Sequence, residues 1–169
     1  LADLEAPALE RRHLGAQGMI GLDGLNGHRV VMDFADDRRT VEKTGRKLRS
    51  GVGPDGTIVV NAERLRGRMV IHQATIDGVI VDLVIDTGTQ ISIGNLALQS
   101  AMSVKGGRRF AAGSTQSGSL QSVTGERIAA TIAHARSIRI GDATIADLPI
   151  SFADSYAFRV LGLFDKPAL

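Results

Sequence analysis

The sequence predicts a mainly β protein, and three observations support that class. Twenty of the 169 residues are glycine, which favours a chain with many turns. Runs of apolar residues that alternate with polar ones are rich in valine and isoleucine, which suit strands. Asn-Gly and Asp-Gly dipeptides, which favour tight turns, separate several of these runs. Because Trp is absent and Phe and Tyr are few, the core must be built from Val, Ile, Leu and Ala.

Composition argues against several classes of function. The net charge of +2 gives no support for a nucleic-acid partner, and the absence of cysteine excludes disulfides and thiolate zinc sites. The four histidines are scattered, so we expect no metal. Two of them, His72 and His134, fall in predicted strands and are expected to be partly buried structural residues. No run approaches the roughly 18 apolar residues of a membrane span, so we expect none.

The first part of the chain predicts a short helix followed by a meander of short strands. The polar stretch 1–14 carries Leu and Ala at spacings that a helix could use. Alternating apolar residues predict strands over 29–34 and 39–42. The turn residues Asn26-Gly27 and Asp36-Asp37 precede these two strands.

A basic, glycine-rich segment, 43–66, is interpreted as a linker. Gly51, Gly53 and Gly56 have the spacing of a dinucleotide-binding loop, but that loop needs a strand before it and a helix after it. Here a charged stretch precedes the glycines, Pro54 lies among them, and the residues that follow look extended. We therefore expect a solvated connector and no nucleotide cofactor.

The second part of the chain begins with a predicted hairpin. Strands over 68–76 and 79–85 flank the turn Asp77-Gly78. After a polar loop and a short apolar strand, Asn95 is placed to cap a helix over 96–102. This order predicts strand, turn, strand, loop, strand and helix.

The last part of the chain predicts a loop and a long hairpin. Small polar residues over 111–120 indicate the loop. Two apolar runs, 128–140 and 143–152, meet at a Gly-Asp turn and are expected to be paired strands. The run 159–163 is interpreted as a short strand or turn.

The candidate chemistry lies in the stretch 79–93, which reads as a strand, a tight polar turn and a second short strand. Asp86 falls where the first strand gives way to Thr87 and Gly88. Gly88 permits a turn that a side chain would hinder, and the hydroxyls of Thr87 and Thr89 can hydrogen-bond a carboxylate or the backbone. An ordinary hairpin turn is the alternative, since Asp, Thr and Gly are common turn residues.

This Asp-Thr-Gly between apolar strands resembles the active-site loop of the retropepsin-like aspartic proteases, of the pepsin and retropepsin clan. The resemblance implies a mainly β, closed barrel with one or two short helices. It also implies that Asp86 is catalytic and that Thr87, Gly88 and Thr89 form the active-site loop. Thr89 is then expected to hydrogen-bond the carboxylate.

In that family a glycine-bearing hairpin forms a flap over the peptide. The resemblance places the tip of this flap near Val123, Thr124 and Gly125. A plain surface hairpin is the alternative, and the sequence does not separate the two.

The resemblance also suggests a domain organisation. Met19-Ile20-Gly21 is similar to a late element of the family fold, so 1–42 is interpreted as the C-terminal part of a preceding lobe. Residues 67–169 would then be a second lobe, without its last strand and helix, after the linker 43–66. We expect a fragment of a tandem bacterial protein, with a lean towards the periplasm or secretion because such relatives are usually exported. In a rival geometry, Met19-Ile20-Gly21 folds back beside Asp86.

The expected activity is peptide-bond hydrolysis by two aspartates that share one proton and activate water. The other aspartates considered lack the Thr-Gly sequel: Asp23, Asp33, Asp77, Asp82, Asp142 and Asp147. The expected partners are therefore a peptide or protein substrate and a second lobe or a homodimer partner that supplies the other aspartate. The alternative is a catalytically inactive peptide-binding or scaffold module with the same fold.

Overall fold

The protein is described here by a computed structural model that covers residues 9–21, 24–43, 45, 49–106, 115–122 and 124–169. The chain divides into two compact units, Leu1–Arg49 and Ser50–Leu169. The division falls inside the segment interpreted as a linker, 43–66. The part of that segment beyond Arg49 contains short strands and belongs to the second unit.

The first unit contains a short helix and a two-stranded antiparallel sheet. Helix α1 spans Arg11–Leu14, strand β1 His28–Asp33 and strand β2 Arg38–Lys43, so both predicted strands are confirmed. Helix α1 falls within the stretch 1–14 for which a short helix is predicted, and residues 1–8 of that stretch lie outside the described part. Met19 and Ile20 are exposed.

The second unit opens with three short strands. Strands β3 (Gly51–Val52) and β4 (Ile58–Val59) pair as a small hairpin, and β5 (Glu63–Leu65) joins the main sheet. The hydroxyl of Thr57 donates a hydrogen bond to Asp55 in the β3–β4 turn at 2.8 Å. This bond lowers the pKa of Asp55.

A seven-stranded sheet forms most of the second unit and confirms the mainly β prediction. Its strands run in the order β5-β6-β10-β11-β8, with β7 paired to β6 and β9 to β10. Since β5 and β8 end the pairing path, no closed barrel is detected among the described strands. The remaining strands are β6 (Arg68–Ile76), β7 (Val79–Ile85), β8 (Ser92–Gly94), β9 (Gln116–Gln121), β10 (Arg127–Ile140) and β11 (Ala143–Phe152).

The hairpin of β6 and β7 forms as the sequence predicts. Asp77 and Gly78 both have positive φ, 47° and 80°, as a two-residue turn between twisted strands requires. The Asp77 carboxylate also accepts hydrogen bonds from the backbone N–H groups of Arg136 and Ser137 in β10. The turn is therefore tied to the neighbouring strand as well as to its own.

In the described part of the second unit, one helix follows β8 and another follows β11. Helix α2 (Leu96–Gly106) is the predicted one, and it runs four residues further than expected. Helix α3 (Tyr156–Leu161) ends at Gly162, which has a φ of 70°. With α1 the described part holds three helices, so the expectation of one or two is wrong. The interpretation of 159–163 as a strand or turn is also wrong, because Phe158 and Leu161 bury one side of a helical turn.

Strand β9 corrects the prediction of a loop over 111–120. Residues 107–114 lie outside the described part, but Gln116–Gln121 is a strand paired along β10. Its sequence is polar and low in strand propensity. Pairing with a long neighbouring strand therefore overrides local preference.

The core of the second unit contains aliphatic side chains from the sheet and α2, together with Phe152. At Gly94, the last residue of β8, the backbone lies very close to two core side chains. A Cβ at that position would lie 2.8 Å from the Phe152 ring and 3.0 Å from Ile150, both fully buried. No helix in the described part is long and apolar enough to span a membrane. The main cluster consists of Ile71, Ala74, Ile76, Val79, Val81, Leu83, Leu98, Met102, Ala133, Ala135, Ile138, Ile150, Phe152 and Leu169.

Candidate functional site

Strand β7 delivers Asp86 to the start of the loop that leads into β8. The backbone N–H of Gly88 donates a hydrogen bond to Asp86 Oδ1 at 2.8 Å, which orients the exposed carboxylate. The Thr89 hydroxyl donates to the carbonyl of Ile91 at 2.9 Å. The expected hydrogen bond from Thr89 to the carboxylate is therefore not formed, because the hydroxyl proton is directed to the loop backbone.

A pocket of about 340 Å³ lies beside this carboxylate. Buried apolar side chains line much of it, including Leu83 and Leu169. Polar side chains of Gln90, Ser92 and Ser155 line it as well. Among the described residues Asp86 is the one acidic group in the lining. The pocket therefore offers an apolar surface next to a single carboxylate.

The predicted flap residues belong to a hairpin. Gly125, with a φ of 88°, lies in the turn between β9 and β10, and the Ser122 hydroxyl accepts hydrogen bonds from the backbone of Thr124 and Glu126. Val123 lies outside the described residues. Thr124 and Gly125 do not line the pocket in this structure, and Thr87 and Gly88 also lie outside its lining.

The C-terminal segment, residues 163–169, contributes Leu169 to the lining of the pocket. Its backbone pairs in parallel with β7: Pro167 accepts from the N–H of Asp82 at 3.0 Å, and Leu169 donates to the carbonyl of Asp82 at 3.0 Å. The carbonyl of Leu169 also accepts from the N–H of Val84 at 2.6 Å. This pairing places the Leu169 side chain in the pocket lining.

Asn95 attaches the C-terminal segment to α2 as well as capping the helix. The predicted cap is confirmed, since the N–H of Leu98 donates to Asn95 Oδ1 at 2.8 Å. The same side chain, only 3% exposed, donates from Nδ2 to the carbonyls of Leu163 and Lys166, both at 2.7 Å. Its second role depends on residues far along the chain, so no local signal in the sequence indicates it.

A charged cluster surrounds the side chain of Asp82, whose backbone pairs with the C-terminal segment. Asp82 contacts His72 Nδ1 at 2.6 Å and Lys166 Nζ at 3.1 Å, and His72 Nε2 lies 3.3 Å from Glu63. Burial alone would raise the pKa of Asp82, but hydrogen bonds and positive charge from His72 and Lys166 outweigh it and lower the pKa. Asp82 lacks the Thr-Gly sequel and is not among the site residues predicted from the sequence, but an acid inside an apolar strand is a signal that could indicate it.

The two strand histidines are more exposed than expected. The side chain of His72 is 42% exposed and that of His134 is 61% exposed, so the expectation of partial burial is wrong. Each contacts an aspartate, since His134 Nδ1 lies 3.1 Å from Asp147. No group of three or more His, Asp or Glu side chains in the described residues has the geometry to hold a metal ion.

Comparison with known proteins gives no match for this chain: no family model, no curated protein and no solved structure matches it. The site geometry and the resemblance of the Asp86 loop are therefore the two features that bear on function.

Proposed function

We propose that this chain carries one half-site of an aspartic endopeptidase, with Asp86 as one of the two catalytic aspartates. The single observation that carries the proposal is the position of Asp86. It ends a sheet strand, its carboxylate is oriented by the N–H of Gly88, and it lies at an apolar pocket. The Asp-Thr-Gly motif needs a strand before its loop and a second strand after it, and this context is present. The finer fold proposed is a retropepsin-like barrel.

The reaction requires a second carboxylate within contact distance of Asp86. Two carboxylates so close cannot both ionise, so one keeps a proton and polarises the scissile carbonyl. The ionised one takes a proton from the attacking water. The pKa values of such a pair belong to the pair and not to either residue. A second lobe or a homodimer partner would supply the other aspartate.

Substrate binding follows from the same geometry. A peptide beside Asp86 would place an apolar side chain against Leu83 and Leu169, and the rim residues Gln90 and Ser92 would hydrogen-bond its backbone. The hairpin turn at Thr124 and Gly125 would cover the peptide as a flap. This covering requires movement of the turn, since neither residue lines the pocket in this structure.

The proposal is tested by peptide binding and cleavage together. Pepstatin, which carries a hydroxyl in place of the scissile carbonyl, is titrated into ¹⁵N-labelled chain. We expect it to shift the amides of Gly88 and Ile91, and we expect Asp86→Asn to weaken binding by about tenfold, the effect of one hydrogen bond to a charged group. Asp142→Asn, a change of the same kind in an exposed turn, is the control.

Cleavage is then measured with a fluorogenic peptide library between pH 3 and pH 7. We expect no hydrolysis by the chain alone, because Asp86 is the one side-chain carboxylate among the described residues that line its pocket. If the chain alone does cleave, and if pepstatin and Asp86→Asn both abolish the cleavage, Asp86 is still one of the two catalytic aspartates. The second carboxylate then comes from another copy of the chain in a homodimer. Pepstatin shifts that miss the pocket, or cleavage that survives Asp86→Asn, would overturn the proposal.

A non-catalytic peptide-binding module is the second candidate. The observation that favours it is the lone acidic side chain among the described pocket residues. Reading the gene upstream of the codon for Leu1 discriminates between the two. A second Asp-Thr-Gly or Asp-Ser-Gly there favours the enzyme, and a degenerate loop favours the binding module.

A further inference from the structure

We propose that Asn95 is a positioning residue for the Asp86 pocket: its carboxamide holds the C-terminal segment on β7, and Leu169 of that segment lines the pocket together with Asp86. The role of the pocket as a ligand site depends on the function proposed above. The attachment itself does not, and the two can be tested separately.

The first argument is the completeness of the hydrogen bonding at Asn95. A carboxamide has two N–H donors and an oxygen that accepts two bonds. Here Nδ2 faces the carbonyls of Leu163 and Lys166, and Oδ1 faces the N–H groups of Leu98 and Ala168, at 2.7 to 3.2 Å. Two carbonyls on one side and two N–H groups on the other fix which atom is nitrogen.

The second argument is the direction of the attachment. Leu98 belongs to α2, whereas Leu163, Lys166 and Ala168 all belong to the C-terminal segment. The backbone of Asn95 adds a further bond, since its N–H donates to Ala168 at 3.1 Å. Three of the four side-chain bonds therefore serve the segment, and a helix cap alone would need one of them.

The third argument is the position of the segment relative to the site. Its residues pair with Asp82 and Val84, and the strand then reaches Asp86 two residues later. Leu169 contributes to the pocket lining together with Val84 and Asp86. Release of the segment would remove Leu169 from the pocket lining and leave β7 paired on one side only, with β6.

The test separates this role from helix capping. In Asn95→Asp, one oxygen still caps α2, but the other faces two carbonyls that it cannot hydrogen-bond. We expect the amides of Val84 and Leu169 to exchange with solvent at least about tenfold faster, since one buried and one partly buried hydrogen bond are lost. The amides of Gly88 and Ile91 are expected to shift in the ¹H–¹⁵N spectrum. Exchange at Gln99 in α2 is expected to stay unchanged.

Two further variants keep the test decisive. Asn95→Ser retains a capping hydroxyl and removes both donors, so it is expected to give the same pattern if Asn95→Asp does not fold. Asn61→Asp makes the same chemical change at an exposed position and is expected to alter none of these amides. The proposal is overturned if Val84 and Leu169 stay protected, if protection falls equally in α2, or if Gly88 and Ile91 do not shift. None of these readouts requires peptidase activity.

Discussion

At the scale of single residues, the Asp82 carboxylate is held by contacts to two cationic side chains. Its side chain is only 14% exposed, and it lies between a histidine of β6 and a lysine of the C-terminal segment. A carboxylate in that position links two parts of the chain that are distant in sequence. Its contacts with these two side chains therefore stabilise the folded chain through charge only while the carboxyl group is ionised.

The pH dependence of stability tests this contribution. Because the folded pKa of Asp82 lies below its ordinary value, 3.8, its contribution is present above that value and is lost as the pH falls through the folded pKa. We expect Asp82→Asn to cost about 1–2 kcal/mol at pH 6 and less at pH 3, where the carboxyl group is ionised in a smaller fraction of molecules. Urea unfolding at both pH values measures the difference, with Asp142→Asn as control. An equal loss at both pH values would contradict the charge-based account.

At the scale of elements, the parallel pairing of β8 with β11 fixes the end of the loop that begins at Asp86. Ser92 lies opposite Ile150, and Gly94 lies opposite Phe152. The approach is so close that glycine is the only residue that leaves the Phe152 ring in place. The loop is thus held at one end by β7 and at the other by this contact.

Gly94→Ala is expected to lower stability by about 1–3 kcal/mol, because a methyl group would be forced against two buried side chains that cannot move away. Thermal unfolding measures the loss. Gly18→Ala is the matched control, since nothing lies within 4 Å of the position its methyl group would take. An unchanged melting temperature for Gly94→Ala would show that the Phe152 ring has room to shift.

At the scale of the whole molecule, the two units differ sharply in their cores. Every buried hydrophobic residue in the described part belongs to the second unit, from Val70 to Leu169. The first unit offers one hairpin whose side chains are mostly exposed, and a two-stranded sheet alone is at best marginally stable. The second unit therefore carries the cooperative stability.

Residues 50–169 are accordingly expected to fold without residues 1–49. We expect a melting temperature within about 3 °C of that of the whole chain, since little buried apolar area is removed. Circular dichroism and calorimetry on both proteins measure this. Loss of a cooperative transition in the shorter protein would mean that the first unit completes the core of the second.

The parts of the fold that the sequence predicts are those set by local chemistry. The hairpin of β6 and β7 follows from alternation and an Asp-Gly turn, and α2 follows from the Asn95 cap. Helix α3 was misread because its six residues are too few to show a helical period. Strand β9 was missed because its pairing partner, and not its own residues, makes it a strand.

The candidate site also has a part that local sequence predicts and a part that depends on distant contacts. Asp86 and the strand before it are local, so a motif with apolar flanks could identify them. The contribution of Leu169 to the pocket lining and the double role of Asn95 depend on contacts between residues about 70 positions apart. No periodicity or motif carries that information.

The late position of the C-terminal segment has a consequence for synthesis on the ribosome. The Asp86 loop leaves the exit tunnel well before residues 163–169 do, so β7 emerges with one edge open and its pairing partner still untranslated. An apolar strand with a free edge is a target for chaperones and for other nascent chains. Until residues 163–169 have been synthesised and have paired with β7, the groove beside the carboxylate therefore lacks Leu169 and stays open on that side.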